Sequence, residues 1–311
     1  MTERLMTHVA TLITVHNRKQ KTLSCLQHLY RAVETYNLSA TEPVKITVFL
    51  TDDGCTDGTA DAILMTFPDK DIHIVQGTGS LFWAGGMRLA WQTAIDEGTA
   101  WDYYLLMNDD TVVYENTLQE LFQADDYCSK HYHRKGICSG ITCDPSDKTS
   151  ITYGGVVFAN KSKGRQITLQ PTGTPHPADM TNANILLVHQ SVVQKMGIFH
   201  HGYIHGCADY DYSCQAHKKG IPVMVTAHVC GECEHDHDSQ KEEILSLIKM
   251  SLKERIKYVR SAVHSDKDHL LFIKRNLPLR YPQAYLMRTI RVFWPRLYYY
   301  ITNARGVYQQ A

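Results

Sequence analysis

The chain has 311 residues, enough for one large domain or one domain with an appendage. It is 43% hydrophobic and 21% charged, with 32 Lys+Arg against 32 Asp+Glu, a globular composition that argues against a nucleic-acid surface and against a disordered acidic chain. Nine cysteines behind an N-terminus, "MTERLMTHVATLITV", without the plan of a secretory leader are expected to be reduced thiols of a cytoplasmic protein, and the absence of any run of about 18 apolar residues argues against a membrane span.

The first 125 residues alternate strand and helix. "VATLITV" (9–15) and "VKITVFLT" (44–51) are rich in β-branched residues and predict strands. Between them Leu23, Leu26, Leu29, Tyr30 and Val33 recur at helical spacing. "IHIV" (72–75) and "WDYYLLM" (101–107) are two more strands, and "GGMRLAWQTAIDEG" (85–98) is a helix closed by Gly98. Such alternation implies βαβ units and a mainly parallel sheet. From about 136 to 190 the pattern changes to the strand-like "GICSGIT", "SITYGGVVF" and "NANILLVH". A helix over "DYDYSCQAHKKG" and a strand over "IPVMVTAH" follow. Ile244, Ile248, Leu252 and Ile256 then stand four apart on one helix face. Residues 270–311 contain seven Lys/Arg, nine aromatics and no acid, the one strongly biased stretch of the chain.

Several segments carry chemistry. "LLMNDDT" (105–111) runs an apolar strand into two adjacent carboxylates, which repel unless a cation or hydrogen-bond donors hold them. Open α/β sheets bind ligands at such strand ends, so a divalent-metal site is one reading and an acidic turn the other. "LTDDGCTDGTADAI" places Asp52 where a strand leaves the sheet, able to accept from a base or ribose, or simply to cap a turn. "GTGSLFWAGGMRLAW" sets Gly77, Gly79, Gly85 and Gly86 ahead of Arg88, a pattern suited to a diphosphate or to a loop packing an aromatic core. Asp209 and Asp211 open a helix, where acids complement the dipole, and a carboxylate facing a cleft can serve as a general base. "AHVCGECEHDHD" gathers His228, Cys230, Cys233, His235 and His237, residue types that bind zinc, although a second pair at the usual distance is missing. "TVHNRKQ" after the first strand provides neither a dinucleotide fingerprint nor a phosphate loop.

Taken in order, "TLITVHNRKQKTLSCLQHL", "TDDGCTDGTAD", "FWAGGMRLAW", "LLMNDDT" and "ADYDYSCQAHKKG" resemble the family 2 glycosyltransferases over roughly residues 8–235. The likeness is greatest to bacterial rhamnosyltransferase-like and galactofuranosyltransferase-like members. The resemblance implies an α/β fold of the GT-A nucleotide-diphospho-sugar transferase type, with a mainly parallel central sheet. It implies a transferase domain over 1–240, with a nucleotide-binding half to about 125 and an acceptor half beyond, and a helical basic and aromatic extension over 241–311. It also implies inverting transfer of a sugar from a nucleoside diphosphate to a glycan or lipid-linked acceptor, in cell-surface polysaccharide synthesis. By position, Thr14, Asn17, Asp52, Gly85, Gly86, Arg88 and Asp109 are expected at the nucleotide-sugar, Asp110 and His228 at a Mg²⁺ or Mn²⁺ ion, and Asp209 as catalytic base. The chain departs from the pattern twice: Asn108 fills the first slot of the Asp-x-Asp motif, and Ala208 replaces the acid before Asp209. Two rival readings are a nucleotidyltransferase of related α/β fold, which would show a glycine-rich basic loop after the first strand, and a non-enzymatic zinc-stapled interaction module. The tail beyond 270 is read either as a peripheral membrane contact made by two short helices or as a cap on the main domain.

Overall fold

The computed structural model describes residues 6–235, 240–264 and 266–304. Its first half runs β1 (Thr7–Val15), α1 (Lys19–Ser39), β2 (Val44–Asp52), α2 (Thr59–Thr66), β3 (Ile72–Gln76), α3 (Phe82–Asp96), β4 (Tyr103–Asn108), β5 (Val112–Val113) and α4 (Thr117–Tyr132). There follow β6 (Ile137–Cys143), β7 (Ile151–Tyr153), β8 (Gly155–Asn160), β9 (Arg165–Thr168), β10 (His176–Pro177), β11 (Met180–Thr181), β12 (Ile185–His189) and α5 (Gln190–Met196). The remainder is α6 (Ala208–Lys218), β13 (Val223–Glu232), α7 (Gln240–Lys249), α8 (Leu252–Tyr258), α9 (Lys267–Asn276), α10 (Tyr281–Phe293) and α11 (Pro295–Ala304).

The main sheet follows the order β10-β13-β6-β12-β4-β1-β2-β3, with β5 on β13 and β7 on β6. β1 pairs in parallel with β2 and β4, and β2 with β3, while β12 runs antiparallel between β4 and β6. Alternate residues of β1 face opposite sides of the sheet. Ala10 and Leu12 pack with Met87, Ala90 and Trp91 of α3, whereas Val9, Ile13 and Val15 pack with Leu26, Leu29 and Val33 of α1. Burial on both faces is why these strands read as continuous apolar runs rather than as alternation.

Three features differ from the sequence reading. "SITYGGVVF" is two strands, not one. At Gly154, φ +148, the chain leaves β7 on the main sheet and enters β8 of a separate sheet ordered β11-β8-β9. The 241–259 helix is also two: Ser251 is the N-cap of α8, its side chain accepting from Glu254 N while Glu254 reaches back to Ser251 N. That capping box ends the four-residue periodicity between Ile248 and Leu252. Finally, Gly85 and Gly86 lie buried within α3. A Cβ on Gly86 would stand 2.4 Å from Thr14 Cγ2, and its carbonyl accepts from Thr51 Oγ1 at 2.8 Å. Gly85 likewise faces Leu81, 3.2 Å from a built Cβ. These glycines, expected at the nucleotide-sugar, let α3 lie close to the sheet. Gly86→Ala should lower stability by about 1–3 kcal/mol through overpacking, and Thr14→Ala in the same chain should restore much of it. Denaturant midpoints would check both; an unchanged Gly86→Ala midpoint would contradict the packing role.

Among the described residues no helix is long and apolar enough to cross a membrane.

Candidate active site

Strand register gathers the site. Val15 pairs with Asp52, Asp52 with Gln76, and Thr14 with Asn108, so four parallel strands end level at one edge. β12 runs the opposite way, and its beginning reaches the same edge: Asn108 N donates to Asn184 O at 3.3 Å. The loops after β1, β2, β3 and β4 therefore share one rim with the segment that precedes β12.

Asp52 is buried there, its Oδ1 accepting from Cys55 N at 2.7 Å, which closes its own turn. Asn17, at φ +53, reaches across the rim, its Oδ1 accepting from Thr56 N at 2.7 Å. Asp53 was not singled out in the sequence, yet it organises the rim. Its Oδ1 accepts from Gly79 N and Leu81 N, and its Oδ2 from Phe82 N, so one buried carboxylate ties the glycine loop and the start of α3 to the end of β2. The signal was present in the doubled acid of "TDDG", whose second member points inward.

At the end of β4 the three successive side chains do different work. Asn108 Oδ1 accepts from Trp83 Nε1 at 2.8 Å, so the amide in the first slot serves to seat the indole of "FWAGG". Asp109 is buried, and burial first, then the neighbouring Asp110 charge, pushes its carboxyl up to about 7 against the opposing pull of Arg18. Asp110 Oδ2 accepts from Arg18 Nη1 at 2.5 Å, and Asp109 Oδ1 lies 3.5 Å from the same nitrogen. The guanidinium of Arg18, also unnoticed in the sequence, is thus one cation holding the paired acids together.

Asp209 belongs to the same edge. It stands in the first turn of α6, after Cys207 at φ +63, with Oδ2 accepting from Ala183 N at 3.0 Å and Oδ1 from Tyr210 N at 2.8 Å. Ala183 precedes the Asn184 that is bonded to Asn108, so two backbone links separate the carboxylate from the acids of β4. Burial raises the Asp209 carboxyl to about 6, even though both amide donors pull it down. That value suits a proton acceptor near neutral pH. Asp211 is not a second rim acid. Arg275 Nε donates to both its oxygens, at 3.0 and 3.1 Å, and Asn276 Nδ2 to Oδ1 at 2.7 Å.

Two expected site residues are elsewhere. Arg88 donates to Tyr203 O at 2.7 Å and His200 O at 3.3 Å, holding a loop rather than standing ready for a diphosphate, because its position on α3 faces that loop. His228 Nδ1 bonds Glu120 Oε1 at 2.9 Å, and Glu120 also accepts from His228 N. The imidazole is engaged by α4, and among the described residues no group of three His, Cys, Asp or Glu side chains is placed to hold a metal. The described part of the segment 230–235 forms no such group either. Cys230 is buried, its thiol pushed up to about 12 chiefly by burial, and donates to Thr226 Oγ1, while Cys233 Sγ lies 3.7 Å from Asp110 Oδ1. His237 lies outside the described residues.

Residues 11–129 match the family model described as glycosyl transferase family 2. Among solved structures the chain is similar to the mannosyltransferase PcManGT from Pyrobaculum calidifontis in complex with GDP-Man and Mn²⁺, at 14% identity and TM-score 0.52, over 98% of this chain and 81% of that one. It is also similar to GalNAc-T7 with UDP, GalNAc and Mn²⁺, at 12% identity and TM-score 0.50, over 74% of this chain and 44% of that one. At such identities the likeness is one of fold, the GT-A glycosyltransferase fold. No curated protein matches the chain.

Proposed function

We propose that this chain, which matches the glycosyl transferase family 2 model over residues 11–129, is a transferase that moves a sugar from a nucleoside diphosphate to an acceptor hydroxyl with inversion at the anomeric carbon. The observation that carries the reading is the common edge: Asp52 ends β2 level with the end of β4, just beyond which Asp110 stands, and Asp209 is tied to that β4 end through Asn108, Asn184 and Ala183. Asp52 is assigned to the nucleoside, with Thr14 and Asn17 beside it on the neighbouring strand end. Asp209 takes the proton of the attacking hydroxyl. Both its oxygens already accept an amide proton, which fixes the carboxylate and leaves lone pairs for the acceptor.

The oxygen donors of Asp110, with Asp109 behind it, fit a Mg²⁺ or Mn²⁺ ion, which is commonly held by one or two carboxylates plus substrate phosphates. When bound, the ion would offset the charge of the departing diphosphate. Arg18 would have to yield Asp110, and it stands where a released guanidinium meets the same phosphates. Loop chemistry disfavours the nucleotidyltransferase: "HNRKQ" after β1 has no glycine, and its arginine is engaged by the acids. A panel of nucleotide sugars, read by thermal stabilisation and by hydrolysis with and without Mn²⁺, tests the assignment. Stabilisation by one or a few donors, strengthened by the metal, is expected; indifference to every nucleotide sugar would refute it.

The acceptor is assigned to a glycan or lipid-linked molecule of cell-surface polysaccharide synthesis, reached at the inner face of the membrane. Support comes from α10 and α11, which expose Tyr285, Leu286, Phe293, Trp294 and Tyr300. Three tail cations are not free for lipid, since Arg275 pairs with Asp211, Arg291 with Asp266 and Glu243, and Arg288 with Asp266. Aromatic insertion is therefore the larger contribution and charge the smaller. The full chain should sediment with anionic vesicles, less so in high salt, and Leu286→Ser with Trp294→Ser should remove most of that binding. Full-length protein left in the supernatant at low salt would leave these helices as a cap alone.

A further inference from the structure

The helices beyond β13 look from the sequence like an addition to a finished transferase. One of them, α9, is instead bonded into the segment that carries Asp209. Asp268, buried in the first turn of α9, accepts three backbone protons on one oxygen: from Ile204 N at 3.1 Å, His205 N at 2.7 Å and Gly206 N at 2.9 Å. Those residues lead directly into Cys207 and the start of α6. Seven residues on, Arg275 and Asn276 grip Asp211, one residue beyond Tyr210 and two beyond Asp209. The same loop is held from its other side by α3, where Ala84 N donates to Ile204 O at 3.1 Å and Arg88 donates to Tyr203 O at 2.7 Å. The segment from 200 to 207 is thus a bridge between α3 and α6, fastened on one side by α3 and on the other by α9.

We propose that α9 is a positioning element of the transferase site, setting through Asp268 and Arg275 where Asp209 stands relative to the donor edge. The proposal rests on the reading of Asp209 as the base. The physical reason is charge-assisted bonding to fixed donors. A carboxylate shared by three amides orders a turn that has no helix or strand ladder of its own. An amide oxygen can take the same position but carries no charge, so all three bonds lose their charge assistance, and the amide nitrogen beside it introduces a donor where a second carboxylate oxygen stood. A loosened turn displaces the first turn of α6, and misplacement of a catalytic group by about 1 Å costs on the order of 10²-fold.

The test uses the full chain with Asp268→Asn and Asp268→Glu. Amide hydrogen exchange should accelerate by about tenfold or more across 203–211 in Asp268→Asn and stay unchanged in β1 to β4. With a donor in hand, kcat should fall by about 10²-fold while the donor KM stays within about twofold, and Asp268→Glu should recover part of kcat. Should Asp268→Asn fail to fold, Arg275→Lys, which keeps the charge but loses the two-oxygen grip, provides the same comparison. Unchanged exchange at 203–211, or faster exchange throughout the molecule with kcat and KM changing together, would overturn the proposal. If the native chain transfers no sugar, the functional reading falls, and the exchange pattern still decides whether α9 holds this turn.

Discussion

Asp209→Asn should leave donor binding within about twofold and lower transfer by about 10²–10⁴-fold, the usual loss of a general base. The amide can no longer take a proton, whereas Asp52, assigned to the nucleoside, stands at the end of β2 rather than on α6 and is untouched. The native enzyme should also carry the signature of this group in its pH profile. With the carboxyl raised to about 6, kcat/KM should climb tenfold per pH unit below that value and level off above it. Stability has the opposite slope. An acid whose folded-state pKa exceeds its ordinary value near 3.8 favours the folded state while protonated, and this contribution declines between about pH 4 and 6 as Asp209 ionises. The variant should lose that slope in its unfolding free energy. It should also lose some stability of its own, because an amide nitrogen would face either Ala183 N–H or Tyr210 N–H where a carboxylate oxygen accepted. Collapse of donor affinity together with high residual transfer would make Asp209 a binding residue instead.

Asp110→Asn should reduce metal-supported transfer by about 10²-fold or more, since neutralising a diphosphate leaving group is worth several kcal/mol and each tenfold about 1.4. The protein should remain folded. Arg18 keeps Asp109 within 3.5 Å, and removal of one of two adjacent carboxylates relieves repulsion that helps to push Asp109 up to about 7. Binding isotherms for Mn²⁺ with a nucleoside diphosphate should weaken in parallel with turnover. Full activity of Asp110→Asn at ordinary metal concentration would remove the acid from the site. Arg18→Met separates the two cations: a weaker diphosphate affinity with Mn²⁺ response retained assigns Arg18 to the phosphates, and an unchanged affinity confines it to bridging the two acids in the free protein.

The candidate positions were legible in the residues alone because parallel α/β sheets put ligand chemistry at strand ends, and strand ends are local. A β-branched run closing on Asp52 and an apolar run closing on Asp109 and Asp110 marked two candidate strand ends, and the acids at the opening of α6 marked Asp209 as a candidate. Where reading failed, the cause was direction. Arg88 and His228 stand at plausible places in the chain, but the partners that claim them are over 100 positions away: Tyr203 for the one, Glu120 for the other. Gly86 reads as a flexible ligand-facing glycine until Thr14 is found against it. Asp53 and Arg18 passed as unremarkable neighbours of better candidates for the same reason, since their function is a set of bonds to β3's loop and to β4.

The sequence by itself determined the periodicities, and through them the elements, their order, the parallel sheet and which loops carry carboxylates. Only the tertiary structure decided which of those carboxylates converge, which are engaged by arginines, and that α9 is fastened to the helix bearing Asp209. Hydrophobic pattern is a property of residues a few positions apart, whereas a hydrogen bond to a buried carboxylate depends on side chains brought together by sheet register and helix packing, at separations that no local pattern encodes.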